Sequence, residues 1–248
     1  MGRTWVHIAL AVVSRFIIDL RVGPRTLDMA KELLASVAIY CGKTNPILLL
    51  MDEHLPYPAA ILHVFGLIKY RRRRKKGRGR KCKPSLKPPP WLLAGVVKKL
   101  RDARGNLLDV TTGALFGRLK DIRSRIRQVG IGCKINTSHL ERLNGTLRGQ
   151  QTRLARRTRN ISRLACMLLW SLWLWRDLYN WVRPHGSLDG HCPAMVLALT
   201  NHLWTVLEYA RYPVHVSDLQ YRCWVEQRED ALLSALDIYQ RKKSLPTL

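Results

Sequence analysis

The chain has 248 residues, of which 47% are hydrophobic, and this excludes a wholly disordered protein. Length alone predicts one main domain with, at most, a small appendage. The 43 lysines and arginines exceed the 17 acidic residues and give a net charge of +26. A surface this basic attracts polyanions, and nucleic acid is the commonest polyanion in a cell. Composition by itself fits a passive RNA-binding protein as well as an enzyme that acts on nucleic acid.

The six cysteines are scattered, and no two of them form a CxxC pair. A zinc knuckle is therefore not expected, and the cysteines are interpreted as reduced thiols of a cytosolic protein. The longest apolar run, residues 164–175, is interrupted only by Ser171 and is too short to span a bilayer. No signal peptide is evident at the N-terminus. The expected compartment is the cytoplasm.

The first part of the chain alternates between predicted strands and helices. Residues 5–13 and 15–22 are rich in β-branched and aromatic side chains and predict two adjacent strands. Thr26 is a suitable cap for the amphipathic helix that follows. The apolar residues 47–51 predict a strand that is buried on both faces and ends at Asp52.

A short helix closed by Gly66 comes next, and the sequence then becomes strongly basic and rich in glycine and proline. Residues 69–87 cannot pack as core, so they predict a mobile arm or loop. Such a stretch is either a solvated linker or an arm that holds phosphates, and contact with DNA is the favoured interpretation. The candidate nucleic-acid-binding residues within it are Arg71, Arg72, Arg73 and Arg74.

The second half of the chain contains a predicted strand, residues 107–116, and a short basic helix, residues 118–129. A longer helix is predicted to begin near Thr137 or Ser138, whose side chains are suitable caps. Glu141 is the first carboxylate after this start.

Helical spacing places Asn144 and Arg148 on the same face as Glu141. Such a helix presents one carboxylate near its start and follows a DNA backbone with its arginines. Periodicity alone favours a solvated basic helix, in which Glu141 merely offsets the positive end of the helix dipole. The basic residues assigned to the nucleic-acid-binding surface are Arg142, Arg148, Arg153, Arg156, Arg157 and Arg159, together with Asn144.

The apolar segment that contains Trp170, Trp173 and Trp175 permits two interpretations. Aromatic faces stack on unpaired bases, so the tryptophans are candidates for nucleotide binding. Leucines surround them, however, and the segment is apolar nearly all round. This pattern favours a helix buried in the core.

Several segments together carry a resemblance to a known family. Residues 134–148 include Glu141-Arg142-Leu143-Asn144-Gly145, and residues 153–163 extend the match. Residues 179–188 read Tyr-Asn-Trp-Val-Arg-Pro-His-Gly-Ser-Leu, and Pro-Ala-Met follows a few positions later. With the Asp52 strand, these segments resemble the DDE transposases of bacterial insertion sequences, in the branch typified by the first-described insertion sequence.

The resemblance covers most of residues 5–215 and implies an RNase H-like core, in which helices flank a mixed five-stranded sheet. It also implies cleavage and joining of DNA during transposition, with two Mg²⁺ or Mn²⁺ ions held by carboxylates. Asp52 matches the second of the family's carboxylates and Glu141 the third. The implied partners are transposon ends and target DNA, bound by a homodimer or larger assembly at the bacterial nucleoid.

The resulting fold class is α/β or α+β, with an RNase H-like mixed sheet flanked by helices. We expect the first part of the catalytic core in residues 1–66 and a basic, proline-rich loop in residues 67–90. The remainder of the core, with the Glu141 helix, is expected in residues 91–205. A helical extension is expected in residues 206–248.

The first carboxylate of the family has no counterpart in this sequence. Family members carry it within an Asp-Glu-x-Trp phrase on the opening strand of the sheet, and this chain resembles them from the next strand onward. We therefore expect an N-terminally truncated chain, in which Asp19 does not replace the carboxylate and Asp28 and Glu32 are exposed helix charges. Glu53 and His54 adjoin Asp52 and either assist its metal site, order its loop or are surface neighbours, and the surface interpretation is favoured. A truncated transposase that binds DNA without cutting it is the alternative to an active enzyme.

Overall fold

The computed structural model describes residues 4–42, 45–69, 84–155, 159–160 and 162–212. The chain divides into two compact units, Met1–Trp204 and Thr205–Leu248. The first unit holds every strand found in the described ranges, and the described part of the second unit contains one short helix. None of the helices in these ranges is long and apolar enough to cross a membrane.

Seven strands and seven α-helices make up the described part of the chain. The strands are β1 (Trp5–Ala11), β2 (Phe16–Gly23), β3 (Ile47–Asp52), β4 (Leu67–Lys69), β5 (Ser85–Lys87), β6 (Leu92–Arg101) and β7 (Leu107–Phe116). The helices are α1 (Leu27–Cys41), α2 (Tyr57–Phe65), α3 (Leu119–Val129), α4 (Ser138–Gln150), α5 (Ala165–Asp177), α6 (Pro193–Val196) and α7 (Val206–Arg211). A 3₁₀ turn follows α4 at Thr152–Leu154, and a π-helical turn follows α5 at Leu178–Val182.

The strands β1 and β2 form an antiparallel hairpin, which confirms the prediction of two adjacent strands. Their register runs from Trp5 opposite Gly23 to Ala11 opposite Phe16. The connecting turn contains Arg15 with a φ of 59°, a left-handed conformation that is uncommon for a residue with a β-carbon. The surroundings of the turn, rather than the intrinsic preference of Arg15, therefore hold this conformation.

The helix α1 begins where the sequence predicts. The hydroxyl oxygen of Thr26 accepts a hydrogen bond from the backbone N–H of Met29 at 3.4 Å, which satisfies a free donor of the first turn. The apolar faces of α1 and α2 pack on β3 and β6 to form a hydrophobic cluster. Its buried residues are Ala30, Leu34, Val37, Ala38, Ile47, Met51, Ala60, Ile61, Phe65, Leu92 and Ala94.

The largest sheet has the strand order β3-β6-β7, with β3 parallel to β6 and β6 antiparallel to β7. The central strand β6 is absent from the sequence-based prediction, because Gly95 and the pair Lys98-Lys99 interrupt its apolar pattern. The two faces of β3 pack on different clusters, as predicted. The other edge of β3 has no strand partner among the described residues, and residues 48–50 are only half-buried.

An apolar cavity of about 460 Å³ lies between β1 and β3. Ile8 and Leu10 line it from the hairpin, and Leu48 and Leu50 line it from the larger sheet. Side chains of α1 and of the first turn of α4 also border it. The described residues therefore form a mixed α and β architecture with parallel and antiparallel strand pairs. Within them the hairpin and the three-stranded sheet are separate, so the continuous five-stranded sheet expected from the resemblance is not present there.

The third sheet is a two-stranded antiparallel ribbon of β4 and β5. These strands lie at the two ends of the basic stretch, where the sequence predicted a mobile arm over residues 69–87. The prediction is wrong at both ends, because backbone hydrogen bonds form a strand ladder there although the side chains are largely exposed. Residues 70–83, which include the predicted nucleic-acid-binding residues 71–74, lie outside the described residues.

The tryptophan-rich helix α5 packs through one face only. Trp175 is buried in a cluster with the hairpin and α4, whereas Trp170 and Trp173 are exposed. The prediction of a helix buried all round is therefore wrong, because no described element covers the outer face of α5. The indole N–H of Trp173 donates to the carbonyl of Leu20 at 3.1 Å, and that of Trp175 donates to Oε1 of Gln150 at 2.8 Å. Through the hydrogen bonds of their indole N–H groups, these two tryptophans connect α5 to β2 and α4.

Asn180 connects the hairpin to the segment after α5. Its side chain is 1% exposed. The Oδ1 atom accepts a hydrogen bond from the backbone N–H of Ile17 at 2.9 Å, and Nδ2 donates one to the carbonyl of Ile17 at 3.0 Å. The side-chain amide therefore satisfies the backbone of β2 in the way that a neighbouring strand does. Part of the family resemblance lies in this Tyr179-Asn180-Trp181 segment, which has a structural role here.

We expect Asn180→Ala to lower the free energy of unfolding by about 2–4 kcal/mol, because both backbone groups of Ile17 are left buried without their partner. Urea denaturation followed by circular dichroism measures this change. Asn201→Ala, at an exposed position, is the matched control and should change stability by less than about 0.5 kcal/mol. An equally small change in Asn180→Ala would show that this side chain does not hold β2.

Candidate functional site

Asp52 lies at the carboxyl end of β3, as the sequence predicts, and its side chain is exposed. Its register partner in the parallel neighbour β6 is Val97, whose carbonyl accepts a hydrogen bond from the N–H of Glu53 at 3.0 Å. Register partners project from the same face of a sheet, and so do residues two positions apart along one strand. Asp52, Val97 and Lys99 therefore share one face.

Glu141 lies in the first turn of α4, where the helix dipole favours a negative charge. Thr137 precedes the helix, but its hydroxyl donates to Oε1 of Glu141 at 3.0 Å and does not cap the backbone. The ammonium group of Lys99 donates to the same oxygen and forms an ion pair with Glu141. Through Lys99, Glu141 reaches the part of β6 that also adjoins Asp52.

The hydrogen bond from Lys99 lowers the pKa of Glu141 below its ordinary value. Partial burial opposes this effect, while the hydrogen bond from Thr137 and the charges of Lys99 and Arg101 add to it. The side chain is therefore ionised at neutral pH. In this structure its charge is neutralised by Lys99, which engages one of the oxygens that a metal ion would bind.

A cleft of about 450 Å³ opens beside Asp52. Asn144 and Arg148 line it from α4, one and two helical turns after Glu141, and Arg25 lines it from the turn before α1. Asp52 is the single carboxylate among the described residues that line this cleft, so positive charge predominates there. The sequence assigned Asp52, Asn144 and Arg148 to one site, and the structure brings these three together. The cleft suits an anionic substrate.

His7 and His54 lie in the same cleft and are uncharged at neutral pH. Burial lowers the pKa of both imidazoles, and the positive charge of Arg25 lowers both further. Both Nε2 atoms are buried and have no hydrogen-bond partner in the described part of the chain. His54 also meets the ring of Tyr57 edge-on, with the ring centroids 5.0 Å apart. The ring of His54 is partly enclosed, so His54 is less exposed than the favoured surface interpretation predicts.

The predicted arginine-rich helix is shorter than its sequence suggested. Gly149 weakens the last turn of α4, and Gln151 adopts an extended conformation, so the later arginines do not continue the Glu141 face. Arg153 binds the protein itself: its Nη1 donates to Oγ of Ser162 at 3.4 Å and to the carbonyl of Met167 at 3.2 Å. These hydrogen bonds give Arg153 a structural role.

The other predicted nucleic-acid-binding arginines are dispersed. Arg142 lies on α4 but lines a different pocket from Asp52, and Arg159 is exposed beyond the helix. Arg156 and Arg157 lie outside the described residues. Of the predicted nucleic-acid-binding residues that the structure describes, only Asn144 and Arg148 line the Asp52 cleft.

Asp19 does not replace the carboxylate that the family carries on its first strand. It is buried, and its Oδ1 accepts a hydrogen bond from the N–H of Leu20 at 2.8 Å. Its Oδ2 accepts from Nε of Arg21 at 2.8 Å and from the hydroxyl of Ser36 at 2.7 Å. These contacts join β2 to α1, so Asp19 has a structural role.

The remaining carboxylates near the site form surface ion pairs, as expected. Asp28 pairs with Lys31 on α1, and Glu53 pairs with Lys98 at 2.7 Å. Glu32, also on α1, pairs with Arg21 at 2.6 Å. No cluster of three histidine, cysteine, aspartate or glutamate side chains that could hold a metal ion exists within the described ranges.

The two assigned carboxylates have the ligand chemistry that a divalent cation requires. Asp52 and Glu141 offer the hard oxygen ligands that Mg²⁺ prefers, and Lys99, which pairs with Glu141, shares a face of the sheet with Asp52. Binding requires Lys99 to leave Glu141. A pair of ions, as the resemblance implies, needs further carboxylates that the described residues do not supply.

Sequence reasoning missed Lys99, Arg25 and His7 as parts of this site. Lys99 lies on β6, a strand that the sequence-based prediction does not contain. Arg25 lies over the ring of Trp5, with 4.8 Å between its guanidinium carbon and the ring centroid. Apart from the proximity of Arg25 to the helix start, no local pattern indicates these positions, because they join segments that are distant along the chain.

We expect Lys99→Met to raise the pKa of Glu141, because the variant loses the hydrogen bond and the charge that favour the carboxylate. In the native protein the interaction stabilises the fold above the ordinary pKa of glutamate, and this contribution is lost as pH falls through the lowered value. Side-chain carboxyl ¹³C NMR measures the titration. Lys98→Met is the matched control, since Lys98 pairs with Glu53. Equal pKa values in the two variants would contradict the assigned contact.

No protein-family model matches this chain, and no match is found among curated proteins or solved structures. Support for a function therefore comes from the residues and their geometry. Two observations provide it. Separate sequence segments resemble one enzyme family, and the two carboxylates assigned from those segments are both linked to β6: Asp52 lies opposite Val97, and Glu141 pairs with Lys99.

Proposed function

We propose that this chain is a transposase of the DDE type, which cuts and joins DNA ends with an RNase H-like catalytic core. One observation supports the proposal: Asp52 and Lys99, the ion-pair partner of Glu141, lie on the same face of the paired strands β3 and β6. A basic cleft adjoins Asp52. Carboxylates placed beside a concave basic surface are typical of sites that process nucleic acid with a metal ion.

The arrangement of strands and helices supports an RNase H-like core. The helices α1 and α2 pack on one face of β3, while α3 packs on the other face, beside the start of α4. A strand ends at Asp52, and a helix that follows the last strand carries Glu141. This is the order that the resemblance implies. In this proposal the hairpin and the β3-β6-β7 sheet are two parts of one mixed sheet.

The proposed substrate is a phosphodiester of DNA. Asp52 and Glu141 would hold a Mg²⁺ or Mn²⁺ ion, which would supply Lewis-acid chemistry for the attacking and leaving oxygens. Arg148 and Arg25 bind backbone phosphates and hold the DNA beside Asp52, and the amide of Asn144 adds a hydrogen bond. Because two transposon ends must be joined, we propose a homodimer or a larger assembly on DNA.

We expect Asp52→Ala and Glu141→Ala each to reduce metal-dependent strand transfer by about a thousandfold or more, because metal ligation supplies several kcal/mol of transition-state stabilisation. A gel assay with end-labelled oligonucleotides in Mg²⁺ or Mn²⁺ measures the joined product. Asp28→Ala removes an exposed carboxylate on α1 and is the matched control, with activity expected at the native level. Native-level strand transfer in all three variants would refute the assignment.

A second candidate function is DNA binding without cleavage, by a protein derived from a transposase. The ion pair of Lys99 with Glu141 favours it, because this pair occupies one of the two assigned carboxylates. A native chain that binds DNA with a steep salt dependence, yet forms no cleaved product in Mg²⁺ or Mn²⁺, has this function. Equal or tighter binding of RNA would indicate a passive RNA-binding protein instead.

We expect Arg148→Ala to weaken DNA binding and to reduce the slope of log affinity against log salt concentration by about one, because one phosphate contact is lost. Fluorescence anisotropy over a range of salt concentrations measures the slope. Lys31→Ala is the matched control, since the ammonium group of Lys31 pairs with Asp28 on α1. If Arg148→Ala keeps the native slope, Arg148 does not contact the DNA backbone.

A further inference from the structure

A small pocket with basic walls lies apart from the Asp52 cleft. It has a volume of about 130 Å³ and lies between the β1–β2 turn, α4 and the segment that follows α5. Three arginines and two histidines line it, and none of the described lining residues carries a carboxylate. These basic residues are Arg15, His139, Arg142, Arg183 and His185.

No described residue that lines this pocket balances its positive charge. Guanidinium groups keep their protons in proteins, so Arg15, Arg142 and Arg183 repel one another. The Nη1 atom of Arg15 is buried and has no hydrogen-bond partner in the described residues. A buried, charged donor without an acceptor is costly. An anion in the pocket would relieve the repulsion.

The backbone conformation of Arg15 in the β1–β2 turn also costs free energy. Its φ of 59° lies in the left-handed region, where residues with a β-carbon are strained. The neighbouring Ser14 is buried, and its Oγ accepts a hydrogen bond from the N–H of Phe16 at 3.4 Å. Strained conformations of this kind concentrate at binding sites, where the surrounding structure maintains them.

Contacts between Tyr179 and His185 stabilise the wall of the pocket formed by the segment after α5. Nε2 of His185 lies 3.2 Å from the carbonyl oxygen of Tyr179, and the two rings meet edge-on with centroids 4.3 Å apart. Burial lowers the pKa of His185, and the charges of Arg183 and Arg15 lower it further. His185 is therefore positioned in advance of any ligand.

We infer that this pocket binds one phosphate group through Arg15, Arg142 and Arg183. The planar guanidinium forks match the oxygens of a tetrahedral oxyanion. The pocket is smaller than the roughly 300–1,000 Å³ that encloses a whole small molecule, so it accommodates a single group. The phosphate belongs either to DNA or to free inorganic phosphate. The site does not depend on the proposed transposase activity, because the charge and size of the pocket and the buried Nη1 of Arg15 support it independently.

Isothermal titration of the full chain with inorganic phosphate tests the inference. We expect the native chain to bind phosphate and Arg183→Gln to bind it about tenfold more weakly or worse, because charged hydrogen bonds are lost. Arg123→Gln, at an exposed position on α3, removes the same charge and should bind like the native chain. The inference is overturned if native protein shows no binding, or if the two variants bind alike.

Arg15→Gln gives a second measurement that does not depend on Arg183. Phosphate is expected to raise the melting temperature of the native chain and of Arg123→Gln but not that of Arg15→Gln. Circular dichroism confirms that each variant is folded, and Arg15→Lys retains the charge if the glutamine variant does not fold. An equal rise in native and Arg15 variants would contradict a role for Arg15 in phosphate binding.

Competition identifies the source of the phosphate group. An oligonucleotide without a terminal phosphate displaces inorganic phosphate if the pocket binds the DNA backbone. Displacement only by the 5′-phosphorylated form assigns the pocket to a strand end, and displacement by neither form assigns it to free phosphate. Each of these outcomes supports the site. Because no cleavage is measured, a failure of the transposase proposal leaves the result unaffected.

Discussion

Excess positive charge is the constraint on which the arrangement of this protein depends. Its 43 basic residues have only 17 acidic residues to pair with, so most cations must lie in water or meet an anion from outside. Two of the carboxylates connect secondary-structure elements: Asp19 joins β2 to α1, and Glu141 joins α4 to β6. Two concave basic surfaces remain beside them, the Asp52 cleft and the pocket of Arg15, and both suit phosphate groups.

The ion pair between Lys99 and Glu141 links structure to function. It holds the first turn of α4 against β6, and it also engages the carboxylate that a divalent cation would need. A partly exposed ion pair of this kind contributes on the order of 0–1 kcal/mol to stability, so its exchange for a metal ion is energetically modest. An active transposase requires this exchange. A protein that only binds DNA does not.

The hairpin and the larger sheet are joined by packing rather than by strand pairing in the described residues. The helix α1 contacts both, while Asn180 and Trp173 bind the backbone of β2. The edges of β1 and β3 meet the apolar cavity between them. Asp52 therefore stands at the end of an edge strand, and its exposure follows from that position.

The sequence by itself determined the elements with strong local signals, such as the helix capped by Thr26, the strand that ends at Asp52, and the start of α4. Capping and periodicity operate over a few residues, so they are visible without a fold. Only the tertiary structure decided that α5 buries one face, that β6 lies between β3 and β7, and that Lys99 reaches Glu141. It also brought Arg15 to the arginines of two other segments. These contacts depend on how distant segments pack, and no local pattern contains that information.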